Sequence, residues 1–436
     1  MTAGDVTMHP INNPAATRAT PRAAVAVAGI GFGPSNMALA IAFEELGLPG
    51  AGMAFFEKQL RFGWHRGLLL EDATMQVSFL KDLVTMRNPA SRYSFVSYLA
   101  ERGRLAEFIN SKTLTPLRVE FHDYLEWVAR NFEPAVRYGS EIAQIRPVTE
   151  HGVVEYVDVV PRDGDAVRAR NLVIGCGLAP RLPPGVIESD RIWHSSRLLE
   201  QITSPHLESP SRIIVAGAGQ SAAEVACYLY DFFPEMEVCG IFSRYGYSVA
   251  DDSPFVNGIF DPDAVDEFYN APEDVKEMLY NYHANTNYSA VDLSLSQELY
   301  RRFYRERVTG RNRLRIMRAS GIREAQEQAG KLSVSVGHLL TGAIETVEAD
   351  LLIYATGYRP ADPAPLLGEL MAECKLDGSG RLLLDRDYRV ATSDAVRCGI
   401  YLNGASAEHT HGLSAGLLSN TAVRSGEIAT SILGRL

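Results

Sequence analysis

Twice in this chain a β-branched run leads into a glycine-rich turn and then directly into an apolar helical stretch, and this order constrains the fold more than any other feature. The first copy, after residues 23–28, reads Gly29-Ile30-Gly31-Phe32-Gly33-Pro34-Ser35-Asn36. The second, after residues 211–216, reads Gly217-Ala218-Gly219-Gln220-Ser221-Ala222-Ala223-Glu224. Strand, glycine turn and helix in that order make a dinucleotide-binding unit. The glycines let the backbone approach a pyrophosphate, whose charge then sits at the helix N-terminus. The expected fold class is α/β, with two Rossmann-like dinucleotide-binding domains.

The two copies differ in detail. In the first, either reading frame departs from the GxGxxG pattern, with Pro34 or Asn36 standing where the third glycine belongs. The next strand, residues 52–56, ends in Glu57, where an acidic side chain would accept hydrogen bonds from a ribose. A plain βα turn with a solvated Glu57 is the alternative. In the second copy Ala222 holds the third position, an accepted small residue. The following strand, residues 237–242, ends in Ser243-Arg244 with no carboxylate, and a guanidinium there suits a 2′-phosphate. An ordinary surface arginine is the alternative. FAD is expected at the first turn, because flavoproteins with two nucleotides usually place FAD first, and NADPH at the second. Hydride would then pass from NADPH to the flavin.

Composition narrows the partners. The chain has 436 residues, 46% hydrophobic and 22% charged, enough for two or three cores. A net charge of -11 speaks against nucleic acid or an anionic membrane surface as partner. Five cysteines (Cys176, Cys227, Cys239, Cys374, Cys398) show no CxxC spacing, and their odd number fits a reducing cytoplasm. No apolar run approaches the ~20 residues that span a bilayer. Residues 1–22 read as a disordered lead. The expected FAD domain takes residues 23–205 and 347–436, and the NADPH domain 206–346, with a helical substrate region at about 261–307 inside it.

Five further segments carry a resemblance: Met75 to Leu83, Asp251 to Asn257, Asn285 to Ser289, Asp350 to Tyr358 (ending Ala355-Thr356-Gly357-Tyr358), and His409-Thr410-His411-Gly412-Leu413-Ser414. Together they resemble the lysine N6-/ornithine N5-hydroxylase family of N-hydroxylating flavoprotein monooxygenases of siderophore biosynthesis, from about residue 25 to the end. The resemblance implies that residues 57–65, with Lys58, Trp64 and His65, run along the flavin, and that Gln76 bonds the cofactor. It implies that Lys81 holds the substrate carboxylate, helped by Asn257 and Asn287, and that Asn287, Tyr288 and Ser289 touch NADP. His411, Gly412 and Leu413 would meet the flavin, and Ser414 the substrate. Gly217, Gly219, Gln220, Ser221 and Glu224, with Ser243 or Arg244, would serve NADPH.

The implied reaction passes an oxygen atom from O2, by way of a C4a-hydroperoxyflavin, to the terminal amine of L-ornithine. L-Lysine or another diamine is the alternative substrate, and no side chain is assigned as catalytic. A homotetramer is implied too.

Elementary chemistry agrees at several of these positions. Lys81 lies among aromatic and aliphatic residues, where a cation is costly unless an anion meets it; a lysine snorkelling to the surface is the alternative. Asparagine amides suit an amino-acid head group, though Asn also caps turns routinely. His409 and His411 lack a third ligand, so no metal is expected. The step after Gly412 into an apolar stretch suggests a helix N-terminus facing the flavin. A disulfide reductase would need a close cysteine pair, and none exists.

Overall fold

The computed structural model describes residues 23–48, 52–204, 207, 209–286, 288–328 and 330–436. The expected disordered lead lies outside these residues. The fold is α/β with two parallel-sheet units. Val25–Ile30 is the hub of the first sheet, pairing in parallel with Met53–Glu57 on one side and Val167–Ile174 on the other. Val136–Tyr138 extends the sheet past Met53–Glu57, and the antiparallel pair Val153–Pro161 and Ile142–Glu150 extends it past Val167–Ile174. The last strand, Gly399–Leu402, joins the C-terminal half of Val167–Ile174 in parallel. Every residue of Met53–Glu57 is buried, as a strand covered on both faces requires.

Helix Pro34–Glu45 follows the first glycine turn, with Pro34 at its opening position, where a missing N–H costs nothing. Its residues 36 to 43 are all buried, because the sheet covers one side and helix Thr421–Leu433 packs on another.

The second sheet is parallel throughout, in the order Leu314–Met317, Glu237–Ile241, Arg212–Ala216, Leu351–Tyr354, Ile192–His194. Helix Gln220–Phe232 shares a core with its first face. A three-stranded antiparallel sheet, Ser320–Gln328, Lys331–His338 and Ile344–Ala349, covers the other. An antiparallel ribbon, Leu178–Pro180 with Tyr358–Pro360, marks where the chain crosses between the two units.

This pairing corrects the expected boundaries. Ile192–His194 and Leu351–Tyr354 fall within the expected first unit, yet both pair in the second sheet. Leu351–Tyr354 fills the edge of Arg212–Ala216 that would otherwise stand open. Asp350 fastens the junction, accepting from Ser211 N at 2.7 Å and Arg212 N at 3.0 Å. The helical region is also divided. Pro262–Asn270 packs on Glu408–His411 of the first unit, whereas Leu293–Thr309 gives Leu295, Leu299 and Phe303 to the second core. Among the described residues no helix is long and apolar enough to cross a membrane.

Candidate active site

The first glycine turn has the form of a cradle. Gly31 adopts φ 81°, and a Cβ there would stand 2.5 Å from Gly175 O, so no other residue fits. At Gly33 no atom lies within 4 Å of a Cβ position, which leaves open the space that a phosphate needs. Glu57 is buried beside this turn, accepting from Phe32 N at 2.9 Å and Gln59 N at 2.9 Å.

The departure from GxGxxG has a structural reason. Asn36 Nδ2 donates to Ile30 O at 3.1 Å and Gly31 O at 2.8 Å. A Cβ on Gly175 would meet that Nδ2 at 2.7 Å. The small residue needed for close packing therefore sits on the facing strand end, at Gly175, instead of in the helix.

Sequence reasoning missed the residue that locks this turn. Arg424, on helix Thr421–Leu433, is 1% exposed. It donates to Asn403 Oδ1 at 2.9 Å, Ala415 O at 2.7 Å and Ser35 Oγ at 3.2 Å. Asn403 and Ser425 in turn donate to Ser35 O. Burial pulls the Arg424 pKa down. An arginine set among Ala422, Val423, Ser425 and Gly426 was the available signal.

Residues 57–65 form one wall. Lys58 is exposed, and the Trp64 and His65 rings meet edge-on at 4.5 Å. His65 is left-handed at φ 51° and its ring stands 5.9 Å from that of Tyr358. His65 and Cys176 are both exposed, yet crowding by protein holds His65 down at about 4 and pushes the Cys176 thiol up to about 11. Desolvation of both groups by the surrounding protein disfavours their charged forms.

The second turn opens on a cleft of about 2260 Å3 between the units. Gly217 adopts φ 136°, and a Cβ there would lie 2.3 Å from Ala355 O. Gly219, Gln220 and Ser221 line the cleft, as do Ser243 and Arg244. The Tyr288–Ser289 segment lies over the turn: Ser289 Cα would be 3.3 Å from a Cβ on Gly219, and Arg244 donates to Ser289 O at 2.9 Å. Gln76 lines the same cleft from the first unit. Asn287 lies outside the described residues.

Glu224 is a correction. Its side chain is turned away from the cleft into a bidentate ion pair with Arg118, at 2.7 and 2.9 Å, and accepts from Gln220 Nε2 at 2.9 Å. Glu224 lies one turn beyond Gln220 on the same helix face, farther from the glycine turn, where Arg118 at the start of helix Arg118–Asn131 meets it. Glu408 was also missed. It is 6% exposed, lines the cleft, and accepts from the Tyr288 hydroxyl at 2.8 Å.

Three distant segments meet around Lys81. It is half-buried, with Nζ 5.8 Å over the Phe260 ring. Among the described residues this ammonium has no ion pair and no hydrogen bond. Phe260 belongs to the short turn Val256–Phe260, which packs on Leu413–Gly416. Asn257 is on the same turn, but its Nδ2 caps the loop through Asp252 O at 2.8 Å, so its Oδ1 is the atom left for a ligand. Ser414 is buried and accepts from Asn420 Nδ2 at 2.9 Å.

The 409–414 segment differs from expectation. Gly412 and Leu413 open a 3-10 turn, Leu413–Gly416, and the long helix begins only at Thr421. Gly412 is left-handed at φ 81°, which ends the short helix Glu408–His411 without starting another. The His411 ring faces inward, stacked on Tyr388 at 3.8 Å, with Nε2 donating to Arg386 O at 3.1 Å. His409 is the one that lines the cleft.

Burial pushes His411 from 6.5 down to about 3. The unfolded chain therefore takes up a proton that the folded chain refuses, and stability is lost as pH falls from 6.5 toward 3. His411→Gln should flatten the pH dependence of unfolding in that window by about one proton. Urea midpoints measured at each pH check this, and an unchanged slope would remove His411 from the account.

Residues 23–360 match the family described as L-lysine 6-monooxygenase/L-ornithine 5-monooxygenase. The chain belongs to this family. One relative, an L-ornithine N(5)-monooxygenase of Burkholderia cepacia, is 41% identical over 397 residues, covering 88% of this chain and 89% of its own. Among solved structures of the family, the ornithine N-hydroxylase of Kutzneria sp. 744, described with reduced FAD, NADP+ and L-ornithine, superposes with a TM-score of 0.91. It is 47% identical and covers 95% of this chain and 100% of its own. An L-lysine 6-monooxygenase of Pseudomonas syringae reaches a TM-score of 0.84 at 33% identity, covering 94% and 100%.

Proposed function

We propose that this protein is an FAD- and NADPH-dependent monooxygenase that hydroxylates the terminal amine of L-ornithine with O2, supplying a hydroxamate precursor for siderophore biosynthesis. The ammonium of Lys81, without an ion pair or hydrogen bond among the described residues, carries the reading. A half-buried cation without an anion is unfavourable, and a substrate carboxylate makes good the deficit. Asn257 Oδ1, with Asn287, receives the α-ammonium, and the side chain then extends toward Leu413–Gly416.

The cradles fit both cofactors. Gly31, Gly33 and Glu57 hold FAD, and Gly217, Gly219, Gln220, Ser221 and Arg244 hold NADPH. Gln76 and the 57–65 wall contact the flavin, as do the backbones of Gly412 and Leu413. When bound and reduced by NADPH, FAD would supply the activation of O2, one atom of which goes to the amine and the other to water.

The chain's own part is placement and dryness. A solvated alkyl amine has a pKa near ~10.4 and is charged, so it cannot act as a nucleophile. Desolvation among Phe260, Leu413 and Phe268, whose ring lies 3.2 Å from the Cβ position of Gly412, favours the neutral amine. The same apolar walls keep water from the reacting centre. A homotetramer in the cytoplasm belongs to this reading, supported by the family resemblance and by five free cysteines.

L-Lysine is longer by one methylene, a difference worth ~1–3 kcal/mol in a pocket. The higher identity to the two ornithine enzymes favours ornithine. Purified protein with FAD and NADPH should convert L-ornithine to its hydroxylamine with little H2O2, and L-lysine ~10–200-fold less efficiently. NADPH loss that yields only H2O2 with both amines would overturn the substrate assignment.

A further inference from the structure

We infer that Arg323 is a specificity-determining residue, which together with Arg244 receives the 2′-phosphate of NADPH; the inference rests on the cleft being the NADPH site. Arg323 lies on the first strand of the antiparallel sheet, Ser320–Gln328, outside every motif read from the sequence. The pairing of that strand with Lys331–His338 shifts between Ile322 and Glu324, so Arg323 is the extra residue of a β-bulge. A bulge breaks the alternation of faces and re-aims a side chain.

The side chain's path is built into the sheet. It runs across Gly337, where a Cβ would stand 2.7 Å from Arg323 Nε and would push the arginine off this path. Arg323, Gly321 and Ser320 all line the cleft beside Ser243 and Arg244. Backbone bonds fix this neighbourhood: Ser320 N donates to Phe242 O and Ala319 N to Arg244 O, both at 2.9 Å. At Gly321 no atom lies within 4 Å of a Cβ position, leaving room for a ligand.

Charge accounting sets Arg323 apart from Arg244, Arg315 and Arg318, the other arginines of the segments around Ser243. Nearby, Arg315 pairs with Glu345, and the Arg318 guanidinium lies over the Tyr245 ring. Arg244 is partly committed to Ser289 O. The adjacent Glu324 accepts from Gln326. Among the described residues the Arg323 guanidinium has neither ion pair nor hydrogen bond, and the residue is exposed and lines the cleft. A planar guanidinium suits a phosphate dianion, and a 2′-hydroxyl offers it far less.

The test is calorimetric binding of NADP+, 2′,5′-ADP and NAD+ to the FAD-loaded protein, wild type and Arg323→Ala. The variant should bind NADP+ and 2′,5′-ADP about 10- to 100-fold more weakly, with NAD+ affinity within about twofold and FAD content unchanged. Arg323→Lys, which keeps the charge without the fork, should fall between. A wild-type protein that prefers NADP+, paired with a variant whose 2′,5′-ADP affinity is unaltered, overturns the role of Arg323 alone. Equal weakening of NAD+ and NADP+ also overturns it. A wild type that binds NADP+ and NAD+ equally would sink the NADPH reading, and this inference with it.

Discussion

Replacing Lys81 by Ala should raise the KM for L-ornithine on the order of 100-fold, because a charge-assisted contact removed from a desolvated site costs ~2–5 kcal/mol. NADPH oxidation should continue, since Lys81 does not line the NADPH cleft, but its electrons should appear as H2O2. Lys81→Met keeps the length and the packing on Phe260 while removing the charge. It should behave like Lys81→Ala, which separates lost charge from lost volume. Steady-state KM values for ornithine and for NADPH, with H2O2 measured beside the hydroxylamine, decide the matter. An ornithine KM within about threefold of wild type would show that the carboxylate is held elsewhere and that the ammonium only snorkels.

The second large effect concerns stability. Arg118 and Glu224 form a bidentate pair with side-chain exposures of 12% and 5%, joining the first unit to the helix after the second glycine turn. Removing one partner of a buried pair leaves the other charged and unmatched, at a cost of ~3–5 kcal/mol. Arg118→Ala should therefore lower the unfolding midpoint sharply. Arg118→Ala with Glu224→Gln should recover much of the loss, because the double variant leaves no orphan charge. Denaturant unfolding of the single and double variants measures this. A single variant with an unchanged midpoint would mean that water enters the junction and solvates Glu224.

Much of this architecture was legible beforehand, and the reasons are local. Both glycine turns are short-range events: strand, turn and helix follow one another within about a dozen residues, and sequence order alone places them. Glu57 could be found because it ends the strand that must pair beside the first. The errors arise where partners are distant in sequence. Nothing near Leu351–Tyr354 says that it pairs with Arg212–Ala216, nor near Ile192–His194 that it pairs with Leu351–Tyr354. Glu224 lies in a fingerprint whose outward residues face the cleft, and only the position of Arg118 shows that it turns inward. His411 is expected from the resemblance to meet the flavin, and nothing near it in sequence shows that the stacked Tyr388 and the Arg386 carbonyl hold its ring inside. Arg323 had no local signal at all, since a bulge is a relation between two strands.

The lock on the first turn also has a bearing on how the protein is made. Ser35 leaves an early segment of the chain, while Asn403, Arg424 and Ser425, which fasten it, come near the other end. Val167–Ile174 likewise waits for Gly399–Leu402 to cover its edge. At about 5–20 residues per second, some 10 to 45 s of synthesis separate those two strands. For that interval the first sheet carries an open, apolar edge and an unfastened turn. The second unit emerges complete in the meantime, so the site that reads first in the sequence is the last to be assembled on the ribosome.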